Sequence, residues 1–151
     1  MTDIRLPMPF VGEEPERIAV FDFCLADCRH TASVLRAYFD EHAQVDEYTD
    51  PQCFLGRIQA TPNGNRPYSI IFVAVDDERG MDVADAIRET DQDTALIFLS
   101  GGEKDYSLHA FRLHALDYIV KPASPEKVDR GIRRYYLGQT TIPGLLDEFK
   151  R

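Results

Sequence analysis

The feature that most constrains how this chain can fold is a set of short runs that are apolar on both faces. Tyr68-Ser-Ile-Ile-Phe-Val-Ala-Val75 is the strongest, rich in β-branched residues and lacking the alternation of a half-exposed strand. A run of this kind belongs at the centre of a sheet covered on both sides. Ile18-Ala-Val-Phe21 and Ala95-Leu-Ile-Phe-Leu99 have the same character. Ala115-Leu-Asp-Tyr-Ile-Val-Lys-Pro122 supplies another strand, stopped by a proline that removes a backbone donor. Gln44 to Tyr48 reads as an edge strand.

Helical spacing fills the intervals. After Asp27, expected as an N-cap, apolar residues at Cys28, Ala32, Leu35, Tyr38 and Phe39 predict a helix to about Glu41. Cys53, Phe54, Leu55 and Ile58 suggest a short second helix, and Val83, Ala84 and Ile87 place a third over 81–89. Leu108, Phe111 and Leu113 predict a helix over 106–114, and Val128 with Ile132 one over 125–136. The order is strand then helix, five times, which implies an α/β fold: a parallel sheet with helices on both faces and right-handed crossovers.

Residues 1–16, with three prolines and no sustained period, read as an N-terminal extension, 17–137 as one domain, and 138–151 as a linker or C-terminal tail. The turn-forming stretch from Thr61 to Pro67 reads as a surface loop. The balance of 26 acidic against 17 basic residues, a formal charge of -9, argues against nucleic-acid binding by this chain itself. Cys24, Cys28 and Cys53 are an odd count without disulfide-framework spacing, which suits a reducing compartment. With no secretory h-region and no apolar run near the roughly 18 residues of a membrane span, the expectation is a cytoplasmic protein without a membrane partner.

In a doubly wound sheet, chemistry sits at the carboxyl ends of the strands. That rule selects Asp22 and Phe23 after the first strand, Ala74 to Glu78 after the third, Ser100 after the fourth and Lys121 after the fifth. Carboxylates, a hydroxyl and a lysine at one point suit a divalent cation and a phosphoryl group. Each has a plainer reading. Asp22 could anchor a loop, Lys121 could pair with Asp22 or Asp76, and Asp76-Asp-Glu78 with Asp82, Asp85 and Glu89 could be a solvated acidic face. Cys24, Cys28 and His30 match no standard zinc knuckle and form an incomplete ligand set. Tyr135-Tyr136 reads as packing, with a dimer contact as the alternative.

These residues carry a resemblance. Residues 17–137 resemble the receiver domains of two-component response regulators, and Ser100-Gly-Gly-Glu-Lys-Asp-Tyr-Ser-Leu-His-Ala-Phe-Arg-Leu-His-Ala-Leu-Asp-Tyr-Ile-Val-Lys-Pro122 looks especially like receivers of the LytTR class. The resemblance implies a flavodoxin-like five-stranded sheet in the order 2-1-3-4-5. It makes Ser100 the switch hydroxyl, Tyr118 the switch aromatic and Lys121 the phosphate-binding lysine, with a cis peptide before Pro122. It also implies a histidine kinase as partner, homodimerisation through the helix 4, strand 5, helix 5 face, and a DNA-binding domain C-terminal to this chain.

Two positions depart from the pattern. The second of two adjacent acids after the first strand is Phe23, and Ala74 stands where the phosphoacceptor aspartate is expected. The expected function is therefore a regulatory pseudo-receiver, not an enzyme, without the usual phosphorylation and without a metal cofactor. The alternative is a magnesium-dependent phosphoreceiver that uses Asp76, with Asp22 and Asp76 on the metal. A small flavodoxin-like hydrolase is the remote alternative, since the chain has no glycine-rich phosphate loop after the first strand and no nucleophile-base pair.

Overall fold

The computed structural model describes residues 15–60 and 66–138. The expectations for 1–14, for Thr61 to Asn65 and for 139–151 lie outside the described residues. The elements are β1 (Glu16–Phe21), α1 (Leu25–Phe39), a 3-10 turn (Asp40–His42), β2 (Ala43–Tyr48), α2 (Pro51–Gln59), β3 (Ile70–Ala74), α3 (Glu78–Thr90), β4 (Ala95–Ser100), α4 (Ser107–Arg112), β5 (Asp117–Val120) and α5 (Pro125–Tyr136). The five strands form one sheet in the order β2-β1-β3-β4-β5, and every pair is parallel. This is the flavodoxin-like doubly wound arrangement expected above.

Strand parity divides the core in two. Phe21, Val73 and Phe98 pack with Phe54 of α2 and with Met81, Val83 and Ile87 of α3. Ile18, Val20, Phe72 and Leu99 face the other way, against Leu35 and Phe39 of α1 and Val128 and Ile132 of α5. All five residues of β3 are buried, as a central strand covered on both faces requires. The sheet register sets Ala74 beside Leu99 and Ser100 beside Val120, so the carboxyl ends of β3, β4 and β5 open at one edge.

The helix boundaries differ from the periodicity at their ends. Cys24, not Asp27, is the N-cap of α1, and Asp27 lies in the first turn. α3 starts at Glu78, earlier than the expected Met81, because the Asp77 side chain accepts from the Arg79 amide and caps it. α4 is shorter than 106–114: His114 turns to φ 57, a left-handed conformation that ends the helix. α1 ends at Phe39, where Asp40 turns to a positive φ of 54 and the 3-10 turn begins. α2 and α5 begin with Asp50-Pro51 and Ser124-Pro125, a cap followed by a proline whose missing N–H is not needed there. Among the described residues, no helix is long and apolar enough to cross a membrane.

Candidate functional site

β5 ends at Val120, and the Lys121 amide donates to the Ser100 carbonyl at 2.7 Å, which fixes the lysine at the edge where β3, β4 and β5 finish. The peptide between Lys121 and Pro122 is cis, in agreement with the resemblance. From this anchor the ammonium reaches three carboxylates. Its Nζ lies 2.7 Å from Asp22 Oδ2, 2.9 Å from Asp27 Oδ2 and 2.7 Å from Asp76 Oδ2.

The three acids come from different elements and are solvated differently. Asp22 follows β1 and is fully buried, with Oδ1 accepting from the Cys24 amide at 2.9 Å. Burial raises its pKa, against the opposing interaction with the Lys121 ammonium, which stands at ion-pair distance from Oδ2 without the geometry of a hydrogen bond. Asp27 projects from the first turn of α1, and the hydrogen bond from Lys121 holds its carboxyl below the usual range. Asp76 lies just past β3, with a side chain 41% exposed. Burial works against the charge of Lys121, but the three carboxylates, Asp22 as an ion pair and Asp76 and Asp27 as hydrogen-bond acceptors, outweigh it, and the ammonium is held protonated above its ordinary value.

Ala74 is buried at the end of β3, its methyl group in the α1/α5 core. Gly80 of α3 packs directly on this strand end: a Cβ there would lie 2.2 Å from the Ala74 carbonyl oxygen. Phe23 stacks edge-on to Phe21, with centroids 5.0 Å apart. The Arg79 guanidinium lies 4.2 Å from the Phe23 ring centroid and is paired with Asp77. Ser100 is buried, and its Oγ accepts from the Gly102 amide at 3.2 Å. The half-buried Tyr118 packs on Phe98, and its hydroxyl accepts from the Tyr106 amide at 3.1 Å.

The structure thus brings Asp22, Asp76 and Lys121 into contact, puts Ala74 and Ser100 at the same strand ends, and packs Phe23 and Tyr118 against the α2/α3 side of the core. Sequence reasoning missed Asp27 and Arg79. A signal existed for Asp27, an acid five residues after Asp22 in the first turn of α1, but the expected capping role concealed it. Nothing in the sequence announced the Arg79 contact with Phe23.

Asp22, Asp27 and Asp76 can bring one carboxylate oxygen each within 4.8 Å of one another, the donor chemistry of a hard divalent cation. As placed, they do not fit one. The ammonium of Lys121 already stands among the three oxygens, and Phe23 offers an aromatic face under Arg79. Cys24 is exposed, while the buried Cys28 donates weakly from Sγ to the Val20 and Tyr48 carbonyls, both at 3.6 Å. They and His30 form no metal cluster among the described residues.

No protein-family profile matches the chain. It is 30% identical over 101 residues to the sensory transduction protein LytT of Bacillus cereus, a match covering 67% of this chain and 41% of that protein. It is 32% identical over 69 residues to the transcriptional regulatory protein LytR of Staphylococcus aureus, covering 44% of this chain and 28% of that protein. The chain therefore spans less than half the length of these relatives. Among solved structures, a CheY-like response regulator receiver domain from Methanospirillum hungatei aligns with a TM-score of 0.68 and 18% identity, over 83% of this chain and 97% of that one. The beryllofluoride-activated DrrB receiver domain aligns with a TM-score of 0.63 and 21% identity, over 82% of this chain and 98% of that one. The fold is that of response regulator receiver domains, and the sequence is similar to LytT and LytR regulators.

Proposed function

We propose that this chain is a receiver module of a two-component-type transcription regulator that works through protein contacts without phosphorylation at the usual strand-end position. One observation carries the reading: the strand-end residue Ala74 has no group to phosphorylate, while Lys121 is neutralised from within by Asp22, Asp27 and Asp76. A receiver lysine is useful when a phosphoryl group arrives to take it. Here three carboxylates supply the negative charge permanently. The module is the expected residues 17–137 together with Glu16, which the sheet takes in as the first residue of β1, preceded by an extension and followed by a linker, in a cytoplasmic regulator whose DNA contacts come from elsewhere. It regulates by binding and is not an enzyme. Its partner is a second copy through α4, β5 and α5, and a histidine kinase is the upstream partner by analogy with two-component systems.

A second reading rests on Asp76, whose carboxylate is on Lys121 and open to solvent. It makes Asp76 the phosphoacceptor. Incubation with acetyl phosphate and magnesium, followed by intact mass measurement, separates the two. The expected result is no added mass. Gain of one phosphoryl group, lost in Asp76→Ala, would replace the first reading with the second.

A further inference from the structure

At the opposite edge of the sheet, a cavity of about 400 Å³ lies between the end of α3, the start of β4, the turn before β5 and the end of α5. Its lining includes Arg88, Gln92, Ala95, His114, Leu116 and Tyr135. Apolar surface with a few convergent polar groups is the usual make-up of a small-molecule site.

Arg88 is the group that gives this cavity a preference. Its Nε donates to the Leu113 carbonyl at 2.8 Å, and Nη1 donates to the carbonyls of Asp91 at 3.1 Å and Thr94 at 2.7 Å. Three main-chain oxygens from two segments, the α3–β4 connection and the end of α4, thus hold the guanidinium in one orientation. Its charge is hydrogen-bonded to no carboxylate among the described residues, and the two N–H groups of Nη2 have no acceptor among them. Two acids stand nearby, Asp93 in the lining itself, and their charges favour the Arg88 cation, but their own hydrogen bonds and ion pairs go to other groups. Asp91 accepts from the amides of Asp93 and Thr94 and from the Thr94 hydroxyl, and Arg66 pairs with both Asp91 and Asp93. Burial also disfavours the Arg88 cation, a cost that an incoming anion would offset.

We infer that this cavity is a binding site for a small organic carboxylate with an apolar body, its carboxylate taken by Nη2 of Arg88 and its body resting on Ala95, Leu116 and the ring of Tyr135. His114 and Gln92 stand at the same cavity as further donors. A planar guanidinium fixed by three acceptors loses little freedom on binding, so selectivity for a planar anion follows. The inference is independent of the phosphoryl question, because the site is at the other edge of the sheet.

Benzoate is the probe and benzamide its uncharged isostere. In a 15N–1H NMR titration of the whole chain, benzoate is expected to shift the amides of Thr94, Ala95 and Leu116 saturably, with a Kd in the range of about 1 mM or tighter. Binding is expected to weaken at least tenfold in Arg88→Lys, which keeps the charge and loses the fork, and to be unchanged in Asp76→Ala. Ala95→Leu fills the cavity while leaving Arg88 intact, and decides the matter if Arg88→Lys does not fold. Absence of saturable shifts, equal shifts with benzamide, or unaltered binding in Ala95→Leu would overturn the inference.

Discussion

The Lys121 ammonium donates to Asp27 and Asp76 and stands against Asp22 as an ion pair, so three carboxylates share one cation. The energetic weight falls on Asp22, which is fully buried and has no other cation beside it in this cluster. Lys121→Met would leave that carboxylate uncompensated, and a cost of about 3–5 kcal/mol is expected in urea unfolding at pH 7. A loss under about 1 kcal/mol would show that water, not the lysine, solvates Asp22. Asp27 is different because its side chain is 47% exposed. Its pKa is depressed by the hydrogen bond from Lys121, so its contribution is present above the unfolded value of 3.8 and is lost as pH falls through the lower folded value. Asp27→Asn should therefore destabilise the protein by about 0.5–1 kcal/mol at neutral pH, after discounting for solvent screening. The gap between variant and wild type should close in acid, and a gap that widened there would contradict the assigned ion pair.

At the level of elements, the close seating of α3 on β3 is set by one glycine. A Cβ at Gly80 would meet the Ala74 carbonyl oxygen at 2.2 Å and Val75 Cα at 2.8 Å, both backbone atoms that cannot step aside. Gly80→Ala should cost about 3 kcal/mol or more, since the helix must lift from the strand end. Gly56, on the exposed face of α2, has open space where a Cβ would stand, with nothing within 4 Å, so Gly56→Ala should stabilise by about 0.5–1 kcal/mol through helix propensity. Thermal or urea melts of the two variants should move in opposite directions. Much at this level was legible in the sequence, because a strand covered on both faces must be apolar throughout and its flanking helices must be amphipathic. β3, β4 and α5 were visible for that reason, and strand ends then pointed to Asp22, Asp76, Ser100 and Lys121. What stayed hidden depends on tertiary placement: the turn of Asp27 toward Lys121 rather than toward a cap, the Arg79 guanidinium over Phe23, and the left-handed His114 that shortens α4.

For the whole molecule, the question is how a receiver fold with an internally neutralised lysine meets a partner. Val120 of β5 is 46% exposed and Leu108 of α4 is 43% exposed, both on the face assigned to the second copy. Beside them Arg130 and Arg134 are drawn onto the buried Asp117, at 2.9 Å and 2.5 Å, which ties α5 to β5 and fixes the shape of that face. Two exposed apolar side chains fall well short of the roughly 800 Å² per partner of a standard stable interface, so association should be weak. The net charge of -9 opposes it further at low salt. The expected behaviour is a monomer–dimer equilibrium in the range of about 10–100 μM by sedimentation, strengthened by added salt. It should be abolished by Val120→Asp with Leu108→Asp and unchanged by acetyl phosphate with magnesium. Each arm tests a separate step: a monomer at all concentrations removes the dimer, and an association that tightens only with acetyl phosphate transfers the switch to Asp76.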